Sequence, residues 1–146
     1  MDESAEVREV AMHYFDAICR GDTSYLEQFV SRDDGTLLIG TDPNEWWTGY
    51  ERIISIWKAQ FEAVGGSFPV RATNLQAYRD GNIGWFAAQP VVTLPDGTAA
   101  PFRMTGVVRK EEGDWKLVQC IQLDLTVASK AFASVEERNG KADSIT

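Results

Sequence analysis

The sequence predicts an α+β fold in which three N-terminal helices cover the concave face of a cone-shaped, strongly bent sheet, antiparallel in the main but mixed. Two observations support this prediction. Up to Val64 the apolar residues recur at the period of amphipathic helices, and from Phe68 onward β-forming runs alternate with turn sequences. Helices followed by a meander of strands form an α+β layer, because the helices bury one face of the sheet.

The first two helices are indicated by apolar spacing and by end signals. Apolar residues recur at helical spacing from Val7 to Ile18, and Gly21 follows where a left-handed residue ends a helix. Asp22 or Thr23 then caps a short second helix. The turn sequence of residues 31–35 leads from this helix into an apolar strand, Thr36 to Ile39.

A third helix is expected after the Trp-rich segment that follows this strand. Thr48-Gly49-Tyr50-Glu51 has the pattern of a capping box, in which a hydroxyl and a glutamate satisfy free amides reciprocally. One apolar face then continues to Val64, and Gly65-Gly66 ends the helix.

The second half of the chain predicts long antiparallel strands. Turn sequences at residues 80–82, 95–97 and 111–114 separate four β-rich runs. These runs are Phe68 to Ala77, Ile83 to Leu94, Thr98 to Arg109 and Trp115 to Val127.

Length and charge limit the classes of function. The chain of 146 residues suits one core, and we predict a single domain over residues 1–133 with a flexible polar tail over residues 134–146. A net charge of −8 opposes nucleic-acid phosphates and anionic membrane surfaces, so neither is an expected partner. The N-terminus lacks the regions of a signal peptide and no run has membrane-spanning length, which predicts a cytoplasmic protein.

Cysteine and histidine content disfavours several chemistries. Cys19 and Cys120 are widely separated and are expected to be free thiols. His13 is the only histidine, and it lies off the apolar face of the first helix, as a surface residue would. With no ligand set for zinc and no glycine loop for phosphates, we predict no metal and no cofactor.

The segment from Gly40 to Gly49 holds the first candidate site residues. Asp42 and Glu45 stand beside Trp46 and Trp47, and carboxylates near indoles predict the wall of a cleft. If their pKa values are separated, one acid can donate a proton while the other accepts one. The alternative is structural: Asp42 begins an Asx-Pro turn and Glu45 is a solvated loop acid.

Other candidates come from strand and helix phase. Arg103 and Thr105 share a strand face, where Arg103 either binds a ligand carboxylate, pairs with Asp42 or Glu45, or faces outward. Several aromatic side chains are expected in the core between helices and sheet, some of them also walling a cavity; they are Trp57, Phe61, Trp85 and Phe86.

The order of short motifs resembles the SnoaL-like branch of the nuclear transport factor 2-like superfamily, which includes the ketosteroid isomerases, from about Val7 to about Thr126. The motifs are Gly21-Asp22, Gly40-Thr41-Asp42-Pro43, Glu45-Trp46-Trp47-Thr48-Gly49, Gly84-Trp85, Leu94-Pro95-Asp96-Gly97-Thr98, Arg103-Met104-Thr105 and Gly113-Asp114-Trp115-Lys116-Leu117-Val118-Gln119. The resemblance implies a conical cavity on one scaffold that serves enzymes, binding proteins and association domains.

The resemblance also assigns residues. Tyr14 matches a tyrosine of the oxyanion hole in the isomerase branch, but the position of its base falls at Ile39 and that of its protonated aspartate at Thr105, so steroid isomerisation is not expected. The same comparison puts Thr105 on the inner face of the sheet, with Val118, Cys120 and Gln122. It leaves an apolar outer face suited to a homodimer, formed by Trp115, Leu117, Gln119 and Ile121.

We therefore predict a protein that binds a small organic molecule in an apolar cavity. In one version it is a cofactor-free isomerase, cyclase or dehydratase, with Asp42 or Glu45 as acid or base and Tyr14 with Thr105 polarising a carbonyl. In the other it is a non-catalytic ligand-sensing or association module. The expected ligand-binding residues are Trp46, Trp47, Trp57, Phe61, Trp85, Arg103, Thr105, Val118, Cys120 and Gln122.

Overall fold

The computed structural model describes residues 1–66, 69–93 and 97–121. These ranges hold three helices and ten strands, which in chain order are β1 Asp2–Glu3, α1 Ala5–Arg20, α2 Thr23–Phe29, β2 Leu37–Ile39, β3 Trp46–Thr48, α3 Tyr50–Ala63, β4 Val70–Arg71, β5 Gln76–Asp80, β6 Ile83–Ala88, β7 Val91–Thr93, β8 Ala99–Pro101, β9 Met104–Glu111 and β10 Asp114–Ile121.

The strands form a mixed sheet that is not closed. Seven of the described strands form this sheet, in the order β1-β5-β6-β9-β10-β2-β3, and the other three form a separate sheet in the order β4-β7-β8. Among the pairs of named strands in the described ranges, β10–β2 is parallel and the others are antiparallel. An isolated parallel bridge also joins Val30 to Leu117. The predicted α+β class with a mixed sheet is confirmed.

The predicted end of α1 and start of α2 are confirmed, and α1 begins at a cap that was not predicted. The Ser4 hydroxyl accepts a hydrogen bond from the Val7 amide at 3.1 Å and caps α1. Gly21 ends α1 in the left-handed region with φ 64°. Asp22, rather than Thr23, caps α2, because its carboxylate accepts from the Tyr25 amide at 3.1 Å.

The capping box predicted for α3 is wrong. The N-cap is Gly49 with φ 85°, and no side chain caps the helix. Thr48 is held in β3 opposite Leu37, so its hydroxyl does not serve the helix. The strand β3 itself was not expected, although Trp-Trp-Thr is a β-forming sequence.

Three of the four long predicted strands are interrupted, and the first of them contains β4 and the start of β5. The run from Ile83 divides into β6 and β7 around Gln89-Pro90, and the run from Thr98 divides into β8 and β9 around Phe102-Arg103. Proline cannot donate to a strand ladder, so Pro90 ends the regular pairing of β6. The predicted turns at residues 80–82 and 111–114 join β5 to β6 and β9 to β10. Residues 94–96, Gln122 and the expected tail over 134–146 lie outside the described residues.

The inner face of the sheet, which packs against the helices, is a continuous apolar core. Its central row runs across neighbouring strands through Leu38, Cys120, Gly106, Phe86 and Ala77, all buried. Gly106 is required here, because a Cβ atom would lie 2.4 Å from Cζ of Phe86. The core thus fixes which residues of each strand face inward.

A β-bulge changes the expected orientation of β10. Trp115 and Leu117, predicted on the outer face, are 7% and 2% exposed and belong to the core. The pairing register shifts between Leu117 and Gln119, so one extra residue reverses the alternation and Cys120 also faces inward. Trp115 is further fixed by its indole N–H, which donates to the Glu6 carboxylate of α1 at 3.0 Å.

Candidate functional site

A groove of about 840 Å³ opens where β9 begins and β10 ends, beside the interruptions in the strands. Thr105 and Ile121, which are cross-strand partners, both line it and both face away from the helices. The groove therefore lies on the outer side of the sheet. Its lining residues are Thr41, Thr73, Gln89, Val91, Pro101, Phe102, Arg103, Met104, Thr105 and Ile121.

Backbone hydrogen bonds hold the groove wall where the strands are interrupted. The Gln89 amide donates to the Thr73 carbonyl at 2.8 Å, and the Phe102 amide donates to the Pro90 carbonyl at 2.9 Å. The Asn74 side chain also donates to Oε1 of Gln89 at 3.1 Å. The wall is thus built from residues that pair outside the regular strands.

The inward orientation that the resemblance implies for Thr105 is wrong, and Arg103 takes the outward orientation, one of the alternatives that its sequence left open. Both side chains are exposed, whereas Met104 and Gly106 between and after them are buried. Phe86 requires the small residue Gly106 on the inner face, and the alternation of the strand then turns Thr105 outward. The Thr105 hydroxyl donates to the Phe86 carbonyl at 3.0 Å, and Arg103 forms no ion pair with any described residue, Asp42 and Glu45 included.

Asp42 and Glu45 stabilise their own turn. The Asn44 amide donates to Oδ1 of Asp42 at 2.8 Å, which is the hydrogen bond of an Asx turn. The Asp42 amide donates to Oε1 of Glu45 at 2.6 Å, and the Glu45 side chain lies against Gly40, where a Cβ atom would approach it to 2.7 Å. The structural alternative accounts for both acids, with Glu45 bonded to the turn rather than simply solvated.

Tyr14 and Cys120 meet inside the core. The Tyr14 hydroxyl and the Cys120 sulfur are 3.7 Å apart, and both residues are at most 1% exposed. Burial raises the pKa of the Tyr14 phenol well above its usual value, and the neighbouring Cys120 raises it further. Burial also raises the pKa of the Cys120 thiol to about 12. The pair is neutral at physiological pH.

The predicted aromatic wall residues divide between the two faces. Trp57 and Phe61 stack in the core with centroids 5.3 Å apart, and Trp47 is half-buried against it. Trp85 was expected in the core, but it faces outward and stacks on Tyr78 with centroids 6.2 Å apart, because Phe86 beside it takes the inner position. Trp46 is 62% exposed on the outer face.

Two further residues, Val118 and Gln122, were predicted to bind the ligand. Val118 is the half-buried extra residue at the bulge, and Gln122 lies outside the described residues. Val118 is not among the described residues that line the groove. Of the thirteen predicted site residues, the groove brings together Arg103 and Thr105, and Asp42 lies next to Thr41 at its rim.

The described lining of the groove carries a single ionisable group. Arg103 is the only ionisable group among its described lining residues, with threonine hydroxyls and the Gln89 amide around an apolar floor. Within the described part of the chain, no group of three or more potential ligands is placed to hold a metal ion. No described helix is long and apolar enough to cross a membrane.

Several groove residues were missed by sequence reasoning. Thr73, Gln89 and Phe102 lie at strand interruptions, which the continuous β-forming runs concealed. The available signal was Pro90, since proline inside a strand run indicates an edge or a bend. Reading that proline as a break would have drawn attention to Gln89.

Comparison with known proteins identifies the family. The sequence profile of the SnoaL-like domain matches residues 7–122. The chain belongs to the SnoaL-like family. Curated protein sequences gave no match.

Solved structures share the fold of this SnoaL-like domain. A nuclear transport factor 2-like protein of unknown function from Pseudomonas putida has a TM-score of 0.72 at 13% identity, covering 82% of this chain and 87% of that one. A putative calcium/calmodulin-dependent protein kinase type II association domain from Thiobacillus denitrificans has a TM-score of 0.65 at 22% identity, covering 84% and 96%. A protein of unknown function with a cystatin-like fold from Nostoc punctiforme has a TM-score of 0.68 at 16% identity, covering 84% and 94%.

Proposed function

We propose that this SnoaL-like protein binds a small organic anion in the groove on the outer side of the sheet. The observation that carries the proposal is the position of Arg103, an exposed guanidinium without an ion pair among the described residues, in a groove of about 840 Å³. Grooves of this size suit drug-sized molecules, and a few polar groups on an apolar lining orient them. The planar guanidinium fork matches a carboxylate.

The ligand that fits this lining has an apolar body and one carboxylate. Val91, Phe102 and Ile121 contact the body, while the hydroxyls of Thr41 and Thr73 are available to further polar groups. Binding without turnover is favoured, because the groove's described lining holds no acid or base other than Arg103. The enzymatic alternative depends on Asp42 at the rim, since Tyr14 is enclosed in the core.

A matched ligand series tests the proposal. Isothermal titration calorimetry with aromatic carboxylates and their primary amides measures the contribution of the anionic group. The Arg103→Gln variant is expected to lower carboxylate affinity about 10- to 100-fold, the loss of hydrogen bonds to a charged group. Arg52→Gln, an equal charge change at an exposed site of α3, is the control and should bind as the wild type does.

Equal affinity for acid and amide, or equal losses in Arg103→Gln and Arg52→Gln, would contradict this assignment. The acid/base enzyme would be supported instead if the wild type both prefers a carboxylate to its amide and consumes that carboxylate over hours. In that case the Asp42→Asn variant should not consume it.

A second candidate function is self-association through the outer face, as a homodimer. Trp46 is 62% exposed, and Ile83 and Ile121 are each 41% exposed on the same face, beside the Tyr78–Trp85 stack. An exposed apolar face of this kind is typical of an interaction surface. The fold is compatible with this use, since a putative association domain shares it at 22% identity.

Light scattering across a dilution series tests the association. We expect a dimer at roughly tens of micromolar, as an apolar interface of standard size would give. Ile121→Lys should produce monomers, whereas Met12→Lys, a substitution at an equally exposed apolar side chain of α1, should leave the dimer intact. A monomeric wild type at that concentration would be incompatible with this proposal.

For location, the cytoplasm remains our proposal, because neither Cys19 nor Cys120 is in a disulfide.

A further inference from the structure

One row of side chains on the outer face connects the exposed tryptophan to the groove. Trp46, Ile39, Ile121 and Thr105 are successive cross-strand partners on β3, β2, β10 and β9. Neighbouring strands lie about 4.8 Å apart, so Trp46 and Thr105 are separated by roughly 14 Å across this face. The midpoint of the row falls between Ile39 and Ile121, that is, between β2 and β10.

The charged groups near this row lie at one end of the sheet. The turn that contains Asp42 follows the end of β2, and Arg103 precedes the start of β9. Because β2 is parallel to β10 and β10 is antiparallel to β9, the end of β2 and the start of β9 meet at the same edge. Asp42 and Arg103 thus lie at the same end, on opposite sides of the row's midpoint.

We propose that a second copy of this chain packs on the outer face about a two-fold axis that runs along the strands between β2 and β10. Rotation about this axis places the β3–β2 half of the row in one protomer over the β10–β9 half of the row in its partner. Trp46 of the partner subunit then lies over Thr105 and Ile121 in the groove, and Asp42 of the partner subunit lies beside Arg103. Each protomer gives the same residues and receives the same residues, as an isologous interface requires.

The chemistry of the paired groups supports this register. Neither Arg103 nor Asp42 forms an ion pair with a described residue, so each is available to the other across the interface. A guanidinium also stacks favourably on an indole face, and the groove's apolar residues match the Trp46 ring. The chain's net charge of −8 opposes self-association, and the attraction between Asp42 and Arg103 across the interface counteracts this repulsion.

The donated segment has a defined shape before it binds. The Asp42–Asn44 and Asp42–Glu45 hydrogen bonds fix the turn, and Trp46 follows it in a paired strand. A preorganised segment loses less conformational entropy on association than a mobile one. The guanidinium of Arg103 has five N–H donors, so pairing with Asp42 on one edge leaves donors for a ligand in the groove.

This inference rests on the proposed self-association and not on ligand binding. A charge exchange tests it by analytical ultracentrifugation without ligand. Arg103→Glu alone and Asp42→Arg alone each place like charges together at both contacts, and we expect the dimer dissociation constant to rise at least tenfold, by roughly 1.4 kcal/mol or more. An equimolar mixture of the two variants pairs opposite charges at both contacts and should recover dimers, as should the double variant.

Two controls separate charge from folding. Asp42→Asn keeps the acceptor of the Asx turn and removes the charge, so it should weaken the dimer without changing the circular dichroism spectrum. Arg52→Glu changes the net charge equally on α3 and should leave the dimer unchanged.

The outcomes distinguish the two proposals. A monomeric wild type would overturn both the self-association and this register. A wild-type dimer that Ile121→Lys dissociates, but that is unaffected by Arg103→Glu or is not recovered in the mixture, would overturn the register alone. Recovery in the mixture, with monomers for each single variant, would establish that each protomer places Asp42 beside Arg103 of its partner.

Discussion

The two faces of the sheet differ in what their aromatic residues do. On the inner face, Tyr14, Trp57 and Phe86 pack with ring centroids about 6 Å apart and are at most 1% exposed. On the outer face, Trp46 is 62% exposed, and Trp85 is half-buried and stacks on Tyr78. The inner aromatics therefore belong to the core that stabilises the fold, and the outer ones lie outside that core.

The largest expected contrast is between two tryptophans. Trp57→Ala should lower the free energy of unfolding by about 3–5 kcal/mol, because it leaves a cavity in the core. Trp46→Ala, the same substitution on the outer face, should change it by less than about 0.5 kcal/mol when measured on the monomer. Urea denaturation followed by circular dichroism makes both measurements. Similar losses for the two variants would show that the faces do not differ as described.

A smaller contrast is expected on β9. Gly106→Ala introduces a methyl group against the Phe86 ring and should destabilise the protein by about 1–3 kcal/mol. Gln119→Ala, on the outer side of the neighbouring strand, is the control and should have little effect. If Gly106→Ala is as stable as the wild type in urea, the inner face is less tightly packed than the structure indicates.

Burial of Cys120 on the inner face should also lower the free energy of unfolding at alkaline pH. Burial raises the pKa of Cys120 to about 12, so the folded protein keeps its thiol proton where the unfolded chain loses it. Stability is therefore fully present below the ordinary thiol pKa and falls as pH rises above it, by about 1.4 kcal/mol at pH 10.

Cys120→Ala should remove this part of the pH dependence. The measurement is the urea midpoint of wild type and variant from pH 7 to pH 10, where the two curves should converge at the alkaline end. Parallel curves would mean that Cys120 does not cause the loss. Tyr14 contributes in the same direction at higher pH, because burial raises its pKa as well.

The smallest expected effect concerns the turn on the outer side. Asp42→Ala removes the acceptor for the Asn44 amide and should cost about 0.5–1.5 kcal/mol of stability. Asp42→Asn keeps an acceptor and should remain within about 0.5 kcal/mol of the wild type. Thermal denaturation of the monomer distinguishes them, and an equal cost for both variants would assign the effect to charge rather than to the turn.

The fold could be predicted because its signals are local. The end of α1 at Gly21, the cap of α2 at Asp22, the apolar period of α3, and the turns after β5 and β9 each depend on residues within one or two turns of chain. The capping box at Thr48 was predicted on the same local grounds and is wrong, because Thr48 pairs with Leu37 of β2 in a strand.

The orientation of strand residues was not predictable in the same way. Alternation predicts which residues share a face but not which face is inner. The choice for β9 depends on Gly106 fitting the Phe86 ring, and the choice for β10 depends on a bulge at Val118 that has no marker in the sequence. The functional assignments of Arg103, Thr105 and Leu117 changed for this reason.

By itself, the sequence determined the α+β class, the end of α1 and the start of α2, the SnoaL-like motifs and the set of chemical groups available, since these follow from short-range periodicity and composition. Only the tertiary structure decided that Tyr14 and Trp57 are enclosed, that Asp42 and Glu45 bond within their own turn, and that Arg103 faces an outer groove. These positions depend on contacts between residues far apart in the chain, where close packing selects one of the orientations that the local sequence permits.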